Sequence, residues 1–169
     1  VILEAASETG YSWKIRYDSL ILFTSARYNS LPGLRFPGAQ GRFPTRDEVV
    51  EYLRDYVAFF RMPVRFDTRV TSLGKTDGSF SVATTSGLLK AKNVIVCTGA
   101  FQKPFIPPFS NKINSEILQL HSSVYKRPSQ LNAGDTLVVG GGNSGVQIVE
   151  EILNVQGKAY FSLSGNLKA

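Results

Sequence analysis

Leu137-Val138-Val139-Gly140-Gly141-Gly142-Asn143-Ser144-Gly145 decides the fold of this chain. A short apolar run, β-rich in composition, turns through G-x-G-x-x-G into a helical pattern. Such a turn is written for phosphate. Gly140 permits the sharp reversal, Gly142 lets backbone approach a pyrophosphate, and Gly145 lets helix and strand pack closely. The helix then offers its first amides and a partial positive charge to the anion. Alone the pattern is weak, so its surroundings carry the reading. Thr136–Val139 reads as a strand and Asn143–Leu153 as a helix with Val146, Val149, Ile152 and Leu153 on its apolar face. Ala159–Leu163 reads as a returning strand. Together they make a βαβ unit, and Gly140, Gly142, Asn143, Ser144 and Gly145 are its expected cofactor contacts.

The residues after the second strand choose the dinucleotide. An NAD site places Asp or Glu about 20 residues beyond the glycines, on the ribose 2′-hydroxyl. Here the chain reads Ser162-Leu163-Ser164-Gly165-Asn166-Leu167-Lys168, with no acid. Ser164 and Lys168 suit a 2′-phosphate, so NADP is expected. Val1-Ile2-Leu3-Glu4 resembles the second strand of another such unit, ending on an acid that suits a free ribose hydroxyl. The glycine turn that should precede it would lie before Val1, so the start reads as a cut.

The 169 residues allow one domain or two small ones. Hydrophobic content of 43% and charged content of 19% are those of a soluble globular protein. No apolar run approaches the roughly 18 residues of a membrane span, and no signal peptide opens the chain. The net charge of +6 suits a polyanionic cofactor or a solvated basic surface. The basic residues are scattered without recurring aromatic partners, which argues against nucleic acid. Cys97 is the only cysteine. It makes neither an intrachain disulfide nor a zinc cluster, and its apolar neighbours suggest a buried small hydrophobe. A cytoplasmic protein without a metal is expected.

Between the two ends, Ser25–Arg42 is dense in Gly and Pro and reads as irregular. Thr45-Arg46-Asp47-Glu48 is a capping box ahead of a helix with Val49, Tyr52, Leu53, Tyr56 and Phe60 on one face. The stretch from Val64 through Ala91 reads as a small antiparallel meander. Asn93–Cys97 reads as a strand covered on both faces. Gln119–Ser122 reads as a brief strand. Pro104, Pro107 and Pro108 mark a connector between domains.

The ordered set of Glu4, Gly10-x-x-Trp13, Arg16-Tyr17-Asp18-Ser19-Leu20, Thr98-Gly99-Ala100 and Gly140 to Gly145 resembles the flavin-containing monooxygenases. It is most similar to their bacterial CzcO-like relatives, along essentially the whole chain. The resemblance implies an α/β fold with two dinucleotide-binding, Rossmann-like, three-layer domains and a small β-meander, here incomplete. It implies an FAD-binding domain over residues 1–105 and an NADP-binding domain over 106–169. Glu4, Trp13, Val70 and Thr98, Gly99 and Ala100 then become FAD contacts, and Thr24 falls near the isoalloxazine. Baeyer–Villiger members carry F-x-G-x-x-x-H; His121 aligns with that histidine, but Ser115 and Ile117 replace the Phe and Gly.

The implied activity is a monooxygenase, with hydride passing from NADPH to FAD and oxygenation of a soft nitrogen or sulfur nucleophile in a small molecule. No catalytic side chain is assigned. A homodimer is a further expectation. A disulfide-reductase-like flavoprotein shares the architecture but needs a dithiol. A non-catalytic piece that keeps only NADP binding is the other alternative.

Overall fold

A computed structural model describes residues 1–76, 78–101 and 103–165. The chain divides into two compact units. The first comprises Val1–Lys14 and Val49–Lys103, the second Ile15–Glu48 and Pro104–Ala169.

In the first unit, β1 (Ile2–Leu3) lies parallel to β2 (Val64–Arg65), with Ile2 opposite Val64. A single helical turn, α1 (Tyr11–Lys14), follows Gly10. Gly10 has φ +78, and a Cβ there would meet Val50 at 3.2 Å. The meander is β3 (Val70–Thr76), β4 (Ser79–Thr84) and β5 (Gly87–Ala91), all antiparallel. Alternation of apolar and polar residues in β4 buries Val82. Asp77 lies outside the described residues.

Helix α2 (Arg46–Phe59) begins at the expected capping box. The Thr45 amide donates to Glu48 Oε2 at 2.8 Å, and the Glu48 amide donates to Thr45 Oγ1 at 3.3 Å. Two of the helix's otherwise unpaired first-turn donors are thereby satisfied. Val49, Val50 and Tyr52 are its buried residues. Phe60 falls past the helix end and is 41% exposed.

The second unit holds the βαβ element. Strand β6 (Leu137–Val139) is parallel to β7 (Tyr160–Ser162), and α3 (Asn143–Gln156) connects them. Gly157 closes α3 in the left-handed conformation, its amide donating to the Leu153 carbonyl. Tyr17, Tyr125, Ile148 and Ile152 form the buried cluster, with Leu20, Leu131, Val138 and Ala159 packed against it.

The buried face of α3 is Ile148, Val149 and Ile152, whereas Val146 and Leu153 are 39% and 43% exposed. The expected face was thus rotated: Tyr17 and Tyr125 approach from the side of Ile148, a direction that helical periodicity does not contain. Three further expectations fail. Asn93–Cys97 forms no strand, and Ile95 and Val96 are 87% and 69% exposed. An apolar run becomes a strand only where a neighbouring backbone takes up its N–H and C=O groups, and none of the described residues does so here. Cys97, within that run, is accordingly exposed rather than buried. Gln119–Ser122 is irregular as well. Its His121 serves a turn, Nδ1 accepting from the Ser123 amide at 3.1 Å.

Among the described residues no helix is long and apolar enough to cross a membrane.

Candidate functional site

The glycine turn occupies the carboxyl end of β6. Val139 pairs with Ser162, and the Gly140 amide donates to the Ser162 carbonyl at 3.0 Å. In parallel strands the carboxyl ends lie together, so the turn and Leu163-Ser164 share one edge of the sheet. Ligands of open α/β sheets bind at that edge.

Each motif glycine meets a different physical demand. Gly140 has φ +109, a conformation side chains disfavour. A Cβ on Gly145 would stand 1.9 Å from the Gly140 carbonyl oxygen. Around Gly142 there is nothing within 4 Å of an added Cβ, so that face of the turn is open. Gly142 is also the N-cap of α3, with no side chain capping the helix and no acid in its first turn. The amide of Val146 is taken by the Gly142 carbonyl at 3.1 Å. The amides before it, from Asn143 on, belong to the set that a helix leaves unpaired at its start. Backbone donors, the dipole and an open approach therefore coincide where an anion would sit. These residues fit a dinucleotide pyrophosphate.

Ser164 is exposed beside the turn. Lys168 lies outside the described residues. No acid stands between Ser162 and the end of the sequence.

The expected flavin contacts lie elsewhere. Glu4 directly follows β1, its amide donating to the Arg65 carbonyl at 3.0 Å and its Oε1 accepting from the Ala6 amide at 2.8 Å. Its carbonyl takes the Thr68 amide at 2.9 Å, two residues before Val70, which opens β3. Trp13 is half-buried in α1. Thr98, Gly99 and Ala100 are exposed and irregular, with Gly99 at φ +71. All of these belong to the first unit, whereas Thr24 belongs to the second. The Thr24 hydroxyl donates to Asn29 Oδ1 at 2.7 Å, and Asn29 Nδ2 returns a bond to the Thr24 carbonyl. As a set they fit FAD incompletely. An acid stands at a strand end, but the sequence has no second G-x-G-x-x-G to grip the flavin's phosphates.

Several contacts of α3 and of the segment around Tyr17 follow from no motif. Tyr17 is 3% exposed and its hydroxyl donates to Gln147 Oε1 at 2.9 Å. Burial pushes the Tyr17 phenol up. The Tyr125 hydroxyl donates to Glu151 Oε2 at 2.8 Å. Burial first, and the Glu151 carboxylate second, push that phenol well above its usual value. Asp18 bridges Arg46 at 3.0 Å and Arg127 at 2.9 Å, and Lys126 reaches the Ile15 carbonyl. The residue pattern from Tyr11 to Asp18 has no clear period, which is why these roles were hidden. The one available signal was a Gln set among the apolar residues of α3.

Residues 26–164 match the sequence profile of the pyridine nucleotide-disulphide oxidoreductases. Across 167 residues the chain is 44% identical to an uncharacterized CzcO-like oxidoreductase of Geobacillus kaustophilus, covering 99% of this chain and 48% of that protein. It is 31% identical over 151 residues to the rice indole-3-pyruvate monooxygenase YUCCA1, covering 87% of this chain and 37% of that protein. The fold superposes on a flavin-containing monooxygenase from Stenotrophomonas maltophilia with a TM-score of 0.84 at 31% identity, over 96% of this chain and 49% of the other. The chain thus spans about half the length of the curated relatives it matches or less. The glycine turn, its parallel strands and the antiparallel meander are those of a two-dinucleotide flavoprotein, and the chain belongs to the pyridine nucleotide-disulphide oxidoreductase family.

Proposed function

We propose that this chain carries the NADP-binding turn of an FAD- and NADPH-dependent monooxygenase. The observation that carries the reading is the Gly140–Gly145 turn: closed by backbone at Gly145, open at Gly142, uncapped, and followed by no acid. The amides of Asn143 and Ser144 would hold the pyrophosphate. Ser164 would face the 2′-phosphate, with Lys168 beyond it. Glu4, Trp13, Val70, Thr98, Gly99 and Ala100 would border the flavin, with Thr24 toward its ring. In this reading residues 1–105 serve FAD and 106–169 serve NADP.

FAD supplies, when bound, acceptance of hydride from NADPH and oxygenation of a soft nitrogen or sulfur nucleophile in a small-molecule substrate. The residues of this chain bind and orient. No Ser-His-Asp array or paired carboxylate is needed for such chemistry, and none is assigned.

A second reading is favoured by the exposure of Ile95 and Val96. The element leading to Thr98-Gly99 needs a flanking backbone before it can present those residues to a flavin. Taken by itself, the chain then binds NADP and not FAD. A disulfide-reductase role is less well supported, because Cys97 has no second thiol to pair with.

A visible spectrum with NADPH titration tests the proposal. Flavin bands that bleach on NADPH addition, with oxygen then consumed, support the monooxygenase. A colourless chain that binds NADP+ in calorimetry, more tightly than NAD+, supports the second reading. Ser164→Asp should reverse that preference, since a carboxylate repels a 2′-phosphate and accepts from a 2′-hydroxyl. Absence of NADP+ binding in a folded chain would overturn both.

A further inference from the structure

The side chain of Gln147 occupies both polar groups of one distant peptide residue. Its Nε2 donates to the Ile21 carbonyl at 2.7 Å, and its Oε1 accepts from the Ile21 amide at 3.3 Å. The same Oε1 accepts from the Tyr17 hydroxyl at 2.9 Å. Tyr17 is buried and its ring leans on Tyr125, with centroids 6.4 Å apart.

A line of hydrogen bonds thus runs from the Ile21 backbone through Gln147, on α3, to the buried Tyr17.

We propose that Gln147 and Tyr17 are positioning residues for the dinucleotide. They hold the start of α3 in place, so that the backbone amides of its first turn bind the pyrophosphate. The proposal rests on the reading of Gly140–Gly145 as a dinucleotide turn. Pre-set donors cost less to order when a ligand binds, which is where the affinity would come from. Gln147 also ties α3 to the segment that leads to Thr24.

The test is NADP+ binding to the whole chain by calorimetry, with hydrogen–deuterium exchange over residues 140–147 and 19–24. Gln147→Met keeps the volume and loses all three bonds. Tyr17→Phe loses one oxygen and leaves the packing. We expect Gln147→Met to weaken NADP+ binding by roughly tenfold, about what the loss of these hydrogen bonds implies. Tyr17→Phe should weaken it by about threefold on the same scale. Exchange in 140–147 should accelerate in both. Each measurement is made well below the variant's melting temperature. If Gln147→Met does not fold, Tyr17→Phe decides alone. Wild-type binding with variant affinities within twofold and unchanged exchange in 140–147 overturns the positioning role and leaves the turn's function standing. A folded wild-type chain that does not bind NADP+ overturns the reading of the turn, and the positioning role with it.

Discussion

The carbonyl oxygen of Gly140 lies 1.9 Å from where a Cβ on Gly145 would be. The helix carrying Gly145 is therefore packed against the backbone that leaves β6, with no room for a methyl group. Gly145→Ala must move the turn or the helix. We expect a loss of about 1–3 kcal/mol of stability, as for other overpacked sites, and loss of NADP+ binding. Gly142→Ala is the contrasting variant, since its Cβ enters open space. It should melt like the wild type and still bind NADP+ weakly, because the methyl group occupies the phosphate's approach. Thermal melts and calorimetry on the pair separate the two roles.

Glu48 ties the start of α2 through Arg42 and Thr45. Its carboxyl is held below the usual value of 4.5, first by the Arg42 guanidinium at 2.7 Å and then by the Thr45 amide. A depressed carboxyl contributes stability that is present above the unfolded-state pKa and lost as pH falls through the folded one. The wild type should therefore lose more stability than Glu48→Gln as pH falls below about 4.5. Thr45→Ala, measured at neutral pH, should cost about 1 kcal/mol, as for other lost caps. Urea unfolding across pH checks both.

Tyr125 makes the opposite pH statement. Burial and Glu151 raise its phenol, so the neutral form is favoured in the folded chain. That stability is complete below the ordinary value of 10.0 and is lost as pH climbs from there toward the folded pKa. Tyr125→Phe should cost about 1 kcal/mol at neutral pH, for one hydrogen bond to a partly hydrated partner. It should also flatten the alkaline loss, as read from melting temperatures above pH 10.

Ile95 and Val96 stand exposed in an apolar run that pairs with none of the described residues. Exposed unpaired backbone with β-rich side chains invites association between chains. Substituting both with Lys should leave the melting temperature within the small range of surface changes, about ±0.5 kcal/mol each. The same substitutions should reduce concentration-dependent aggregation in light scattering. A large loss of stability would show that these side chains pack where the structure has them exposed.

Part of this protein is legible in its sequence. The residues 136–163 write their own βαβ unit, because glycine spacing and short apolar runs are local demands. Thr45 and Glu48 announce α2 for the same reason, since a capping box closes within four residues. The meander follows from alternation in β4 and from the turn at Ser86-Gly87. Tertiary structure decided what no local rule contains. It turned the buried face of α3 toward Ile148, because Tyr17 and Tyr125 pack from that side. It gave Gln147 its three bonds to residues more than 120 positions away. Among the described residues it gave Val94 to Cys97 no strand partner, although their composition is that of a buried strand, since a strand requires a neighbour and composition cannot supply one. The sequence by itself determined a glycine turn between strand and helix with no acid after it. Only the fold decided which side chains meet α3, because that depends on contacts between segments the chain keeps far apart.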